Sequence, residues 1–236
     1  MFGKRDRARD GQSVERPQPP AAAPAPAAPG SWGVPSPPRL HVGCGRVRLE
    51  GWLNLDIQQL PGVDLVVDVS QGLHWRDVEA VYAEHFLEHL DLDRAIGFLA
   101  DVQRCLLPGG VLRLSTPNLD WVWETHYSNA SDAELRRLQG LRLNRAFHGW
   151  RHRFLWNRVL LGDALAAVGF RDLVWCRYGE SSREVFRGLE HHDTYEDRPD
   201  LPHVLIVEAE KGVADPAALD QLNALLEREF LSFRSD

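Results

Sequence analysis

The run Leu40-His41-Val42-Gly43-Cys44-Gly45 constrains the chain more than any other stretch, because an apolar segment ends there in two glycines one residue apart. Glycine lets the backbone turn sharply and leaves room where a β-carbon would meet a ligand. A second apolar run follows at residues 52–57 and carries the carboxylate Asp56. A carboxylate at the tip of the strand beside a glycine turn is placed to accept hydrogen bonds from ribose hydroxyls, as in nucleotide-binding α/β folds. A G-x-G by itself also suits any tight strand-to-loop turn, so the surrounding pattern has to decide.

From Arg39 onward, short apolar runs alternate with helical ones. Residues 40–42, 52–57, 63–67 and 78–83 read as four strands, each ending near Gly, Asp or Glu, as parallel strands buried on both faces do. Ala95, Phe98, Leu99, Val102 and Leu106 then recur at helical spacing, and Pro108-Gly109-Gly110 closes that helix ahead of a fifth strand at 111–115. Only six residues lie between Gly45 and Trp52. That is short for a parallel crossover with a full helix, so the first crossover helix is expected to be missing or cut to about one turn. It also brings Asp56 closer than the roughly 20-residue spacing of dinucleotide folds. Without a helix start to receive a pyrophosphate, NAD is disfavoured.

Residues 117–156 read as an irregular, substrate-side insertion with a charged helical stretch near 132–144 and a concentration of Trp, His and Arg. Asn157 is placed to cap a helix that Gly169 closes. Residues 170–178 and 203–209 read as the last two strands, an antiparallel pair at the sheet edge. The polar connection 179–202 is long enough to count as a second substrate-side segment. Asp215-Pro216 opens a final amphipathic helix, residues 215–232. This alternation argues for an open α/β sheet over a barrel or sandwich. Residues 1–38 are rich in proline and alanine and cannot supply a core, so a disordered tail is expected ahead of a domain at 39–236.

A formal net charge of -7 gives no general reason to expect a nucleic acid or an anionic membrane as partner. Cys44, Cys105 and Cys176 form neither a disulfide framework nor a metal-ligand spacing. No apolar run approaches the roughly 18 residues of a membrane span, and no apolar stretch follows the basic N-terminal residues as it would in a secretory signal. A cytoplasmic protein is the expectation. Its oligomeric state is not written in these residues.

Taken in order, LHVGCG, WLNLDI, VDLVVDVS, VYAEHFLEHL, LPGGVLRLSTPNL and ALAAVGF resemble the class I S-adenosylmethionine-dependent methyltransferases. The likeness is greatest to a bacterial subgroup with the shortened G-C-G to N-x-D spacing, and it covers roughly residues 39–210. It implies a Rossmann-like seven-stranded sheet of order 3-2-1-4-5-7-6, strand seven antiparallel, with helices on both faces. It also implies S-adenosylmethionine as cofactor and methyl transfer to an O or N of a small-molecule or saccharide-type acceptor. By the same resemblance Gly43, Cys44 and Gly45 pass beneath the cofactor and Asp56 binds the ribose. Asp68 either meets the adenine or simply caps a helix. Glu84 and His85 sit beside the methyl end.

His85 is the first candidate general base and His152 the second, from a segment with His126 and His148 that should cover the acceptor pocket. Trp121, Trp123, Tyr127 and Trp150 either line that pocket or belong to the core. Arg151 and Arg153 suit an anionic acceptor or form a solvated cluster. His191-His192-Asp193 reads as a polar loop. No metal is expected. His85, Glu88 and His89 do spell H-x-x-E-H, the zinc pattern of inverted metallopeptidases, but that chemistry needs one helical face and a distant third ligand. A non-catalytic, cofactor-binding or regulatory subunit of the same fold is the other reading left open.

Overall fold

The computed structural model describes residues 38–127, 131–192, 198 and 200–233. The Pro/Ala-rich segment therefore lies outside the described residues apart from Pro38, as do Asp193 and five other positions of the 179–202 connection.

Seven strands form one sheet. They are β1 (Arg39–Val42), β2 (Leu53–Asp56), β3 (Leu65–Val66), β4 (Val78–Glu84), β5 (Leu106–Pro117), β6 (Phe170–Trp175) and β7 (Val204–Lys211). Their spatial order is β3-β2-β1-β4-β5-β7-β6, and the central members β1, β2, β4, β5 and β7 are largely buried. The first five pair in parallel, and β7 runs antiparallel to both β5 and β6. This is the sheet that the methyltransferase resemblance implies. The connection from β1 to β2 holds turns and no helix, so the shortened first crossover is real.

Five α-helices accompany the sheet: α1 (Leu92–Cys105), α2 (Leu119–His126), α3 (Ala133–His148), α4 (Arg158–Ala167) and α5 (Pro216–Glu229). Leu92, Ala95, Ile96, Leu99 and Val102 give α1 a continuous buried stripe. Asn157 caps α4 by accepting from the Leu160 N–H, and Asp215 caps α5 ahead of Pro216, as the sequence predicts.

Side chains alternate across a strand, and here the two faces of the sheet are unlike. Leu40, Val42, Val81, Ala83, Leu112, Leu114 and Val207 point to one side, into the main core with α1, α4 and α5. Tyr82 and Ala80 point to the other side, where Trp52 and Phe186 cover them. Among the described residues, the helical turn packed on that second face is the 3-10 turn Glu184–Phe186. His41, Asn54, Arg113 and Glu208 are buried there and paired. His41 donates to Asn54 (3.0 Å), and Arg113 donates to Glu190 (2.6 Å), to Glu208 and to the Glu180 carbonyl.

Two local expectations are corrected. Helix α1 stops at Cys105, before the Pro-Gly-Gly sequence, and β5 starts at once with Leu106 opposite Val78. Pro108-Gly109-Gly110 instead makes a bulge, after which Val111 pairs with Ala80. Gly110 is required there, since a β-carbon would lie 2.9 Å from the Leu107 carbonyl oxygen. The 117–156 segment is also more regular than expected, because most of it is α2 and α3.

Candidate functional site

The first half of the site is built where β1 and β2 end side by side. Gly43 and Gly45 both take positive φ (65° and 55°), a region that side chains disfavour. The Cys44 N–H continues the pairing to the Leu55 carbonyl (3.0 Å), and the Gly45 N–H turns into the Asp56 carboxylate (2.8 Å). The other Asp56 oxygen accepts from the Gln58 N–H (2.8 Å). Each carboxylate oxygen retains acceptor capacity. The two signals read from the sequence thus hold each other. Gly43 has a further reason to be glycine: a β-carbon would meet the Phe86 ring at 2.6 Å, whereas above Gly45 the space is open.

A cavity of about 580 Å³ lies over the carboxyl ends of β1 to β4. Gly43, Asp56, Asp68 and His85 line it; Cys44, Gly45 and Glu84 are not among its lining residues. Asp68 does cap a helical turn, accepting from the N–H (3.0 Å) and hydroxyl (2.6 Å) of Ser70 while bordering the cavity. The Cys44 thiol is pushed up to about 11 by burial and by Asp56, which leaves it protonated and un-nucleophilic.

Beyond β4 the chain does not continue as a helix. His85 has φ 47°, a left-handed conformation, and only Leu87–His89 form a 3-10 turn. His85, Glu88 and His89 therefore do not share one helical face, and the metallopeptidase pattern loses its structural basis. Instead His85 donates from Nδ1 to Glu88 (2.9 Å), whose other oxygen accepts from the Thr116 hydroxyl (3.1 Å). Burial alone would lower the His85 pKa, but the Glu88 carboxylate outweighs it and the net shift is upward. Its Nε2 is buried with no hydrogen-bond partner among the described residues.

Glu84 points elsewhere. It accepts from the backbone N–H groups of His191 and His192 (2.8 and 2.9 Å) and from the His192 ring, and also from the Tyr82 hydroxyl (3.1 Å). Burial resists ionisation, yet the hydrogen bonds from His192 and the two N–H groups hold the Glu84 carboxyl down to about 2. Its role in the structure is to fasten the loop that brings in His192.

That loop borders a second cavity, of about 730 Å³, beside the ends of β5 and β7. His85, His89 and Trp150 line both cavities and so form the wall between them. His152, Trp121 and His126 line the second one, with Arg142 and Arg145 from α3. His152 donates from Nδ1 to the Ala146 carbonyl (2.7 Å), and burial lowers its pKa. Trp123 and Tyr127 stack on each other, exposed, and line neither cavity. Arg151 and Arg153 border the first cavity, and Arg153 pairs with Asp91 (3.2 Å). His192 and His203, which the sequence reading left in a polar loop and at a strand start, both line the second cavity. No local signal marks them. His192 arrives because Glu84 holds its loop, and His203 because β7 lies beside β5, far from it in sequence.

No protein-family model matches the chain, and no curated protein does. Among solved structures, it is similar to a SAM-dependent methyltransferase from Archaeoglobus fulgidus, with 18% identity, 73% of this chain and 85% of that one covered, and a TM-score of 0.45. A S-adenosylmethionine-dependent methyltransferase from Mesorhizobium loti gives 17%, 73% and 90%, with a TM-score of 0.43. A SAM-dependent methyltransferase from Thermotoga maritima, described as a possible histamine N-methyltransferase, gives 14%, 74% and 82%, with a TM-score of 0.46. The strand order itself settles the architecture: a Rossmann-like, seven-stranded mixed sheet of order 3-2-1-4-5-7-6, the class I methyltransferase fold.

Proposed function

We propose that the protein is an S-adenosylmethionine-dependent methyltransferase whose acceptor is a small molecule or saccharide with a reactive O or N. The observation that carries this reading is the Gly45 N–H bond that holds Asp56 where it lines the first cavity, with His85 between that cavity and the second. A cavity of this size suits a nucleoside-sized ligand. Asp56 would accept from the ribose diol, and Asp68 borders the same cavity where an adenine amino group would lie. The open space above Gly45 leaves its surroundings free of side-chain obstruction.

S-adenosylmethionine supplies an electrophilic methyl on a sulfonium, displaced by a nucleophile with the C–S electron pair left on sulfur. The protein's part is to hold the acceptor in line and to take its proton. His85 is built for the second task. Its Nδ1–H is committed to Glu88, which fixes the tautomer and leaves Nε2 with a lone pair at the wall between the cavities. An acceptor O–H or N–H in the second cavity would give its proton to that nitrogen. Trp121 and Trp150 offer apolar walls for the acceptor, and Arg142 and Arg145 offer positive charge.

Calorimetric titration with S-adenosylhomocysteine tests the reading. One molecule should bind per chain with a Kd of about 50 μM or tighter, and Asp56→Ala should weaken it by at least about 10-fold. Asp56→Asn keeps an acceptor for the Gly45 N–H and so separates a lost ligand contact from a lost turn. Absence of binding, or binding indifferent to both substitutions, overturns the proposal.

A further inference from the structure

Glu88, His89 and His152 converge at the wall between the two cavities, each offering one donor atom within 4.8 Å of the other two. Their supports are already in place. Glu88 and His89 belong to the 3-10 turn after β4, while His152 follows α3. The Glu88 carbonyl accepts from the N–H groups of Arg153 (2.8 Å) and Phe154 (3.3 Å), which pins the segment bearing His152 onto the turn bearing the other two. The Nδ1–H of His152 is used by the Ala146 carbonyl, so Nε2 is the nitrogen with a lone pair. A ligating histidine is oriented in the same way, by a hydrogen bond from its other ring nitrogen. The buried Glu88 carboxylate is steadied by Thr116 and His85 and has lone pairs to spare. The His89 ring lies edge-on to His152 with centroids 5.3 Å apart.

We propose that Glu88, His89 and His152 bind a divalent transition-metal ion, zinc by preference, with an open coordination position facing the second cavity. Two imidazoles and one carboxylate form the donor set of catalytic zinc sites, which keep the fourth position for water or substrate. Bond lengths near 2.0–2.1 Å require the donors to draw together, and His89 is the exposed member of the three. Glu88 is the one acidic residue among those that line the second cavity, and the ion would sit against it. Its open position selects an oxygen acid, a hydroxyl or carboxylate. That this oxygen belongs to the methyl acceptor rests on the methyltransferase reading; the metal site does not. His85, the third member of the sequence's H-x-x-E-H, serves here as a partner of Glu88 and is not a ligand.

The full chain, freed of metal by chelation and dialysis, is titrated with zinc chloride by calorimetry and with cobalt chloride by visible absorption. One zinc ion should bind per chain with a Kd of about 10 μM or tighter. His89→Ala and His152→Ala should each weaken it by at least about 30-fold, without changing the thermal unfolding curve for the exposed His89, while His74→Ala changes nothing. The cobalt form should show the visible bands of a four- or five-coordinate ion, and acetohydroxamate should shift them. Lack of stoichiometric zinc uptake, or uptake unaffected by His89→Ala, overturns the site; bands indifferent to acetohydroxamate overturn the open position. S-adenosylhomocysteine binding, measured on the metal-free chain, fails or succeeds separately and judges the methyltransferase reading alone.

Discussion

The two faces of the sheet solve the same problem with different materials. One is a field of Leu, Val and Ala under three helices. The other buries His41, Asn54, Arg113 and Glu208 under coil and one 3-10 turn. Apolar packing is non-directional and tolerates changes of shape that keep volume. A buried ion network is directional, and it is costly whenever one member goes missing. The lesson lies in what each face supports. The helical face packs the sheet and, through Val69, Phe86 and Leu90, gives the first cavity an apolar wall. On the polar face Arg113 reaches the Glu180 carbonyl and Glu190, and Glu84 grips His191 and His192, so the same network that fills the space also positions the loop that reaches the second cavity.

Single substitutions can break this contrast. Arg113→Met leaves Glu190 buried without its cation and Glu208 with Arg183 alone (3.7 Å), and should lower the unfolding free energy by about 3–5 kcal/mol in urea titrations. A loss under about 1 kcal/mol would mean that the network merely fills volume. Glu84→Gln comes next. A carboxyl held near about 2 against its ordinary 4.5 contributes roughly 3 kcal/mol. Because the folded value is the lower one, that contribution is complete above about pH 4.5 and is lost as the pH falls towards 2. The wild type should therefore lose stability more steeply than Glu84→Gln across that window, and parallel acid limbs would refute the assignment. Smallest is Leu99→Met on the helical face, fully buried yet nearly volume-conserving, expected to cost less than about 1.5 kcal/mol by thermal unfolding.

Much of the helical face was legible in the sequence because its rules are local. Short apolar runs gave the strands, Asn157 and Asp215 announced their helices, and six residues between Gly45 and Trp52 left no room for a crossover helix. Asp56 was legible for the same reason, being the next strand's tip after a glycine turn. The polar face was not. Arg113 and Glu208 sit in strands as ordinary alternation would place them, and nothing local says that they meet. The second cavity was legible only in part: His85, His126 and His152 could be read towards one acceptor pocket, whereas His192 and His203 reach the cavity through the loop that Glu84 holds and through the β5-β7 adjacency. Glu84 illustrates a subtler limit: its position at the strand end was read correctly, but its direction, away from the first cavity and into the 191–192 loop, depends on backbone far downstream.

The left-handed backbone at His85 has a consequence for how such a chain can change. Four non-glycine residues among those described take positive φ, and two of them, His85 and Arg151, border the first cavity. A side chain held in that region costs on the order of 1–3 kcal/mol, which the surrounding fold must absorb. Evolution or engineering directed at thermal robustness alone would favour glycine or asparagine at position 85, and the gain in robustness would come with the loss of the imidazole between the cavities. Under the proposed function, position 85 is thus where durability and activity pull the sequence in opposite directions.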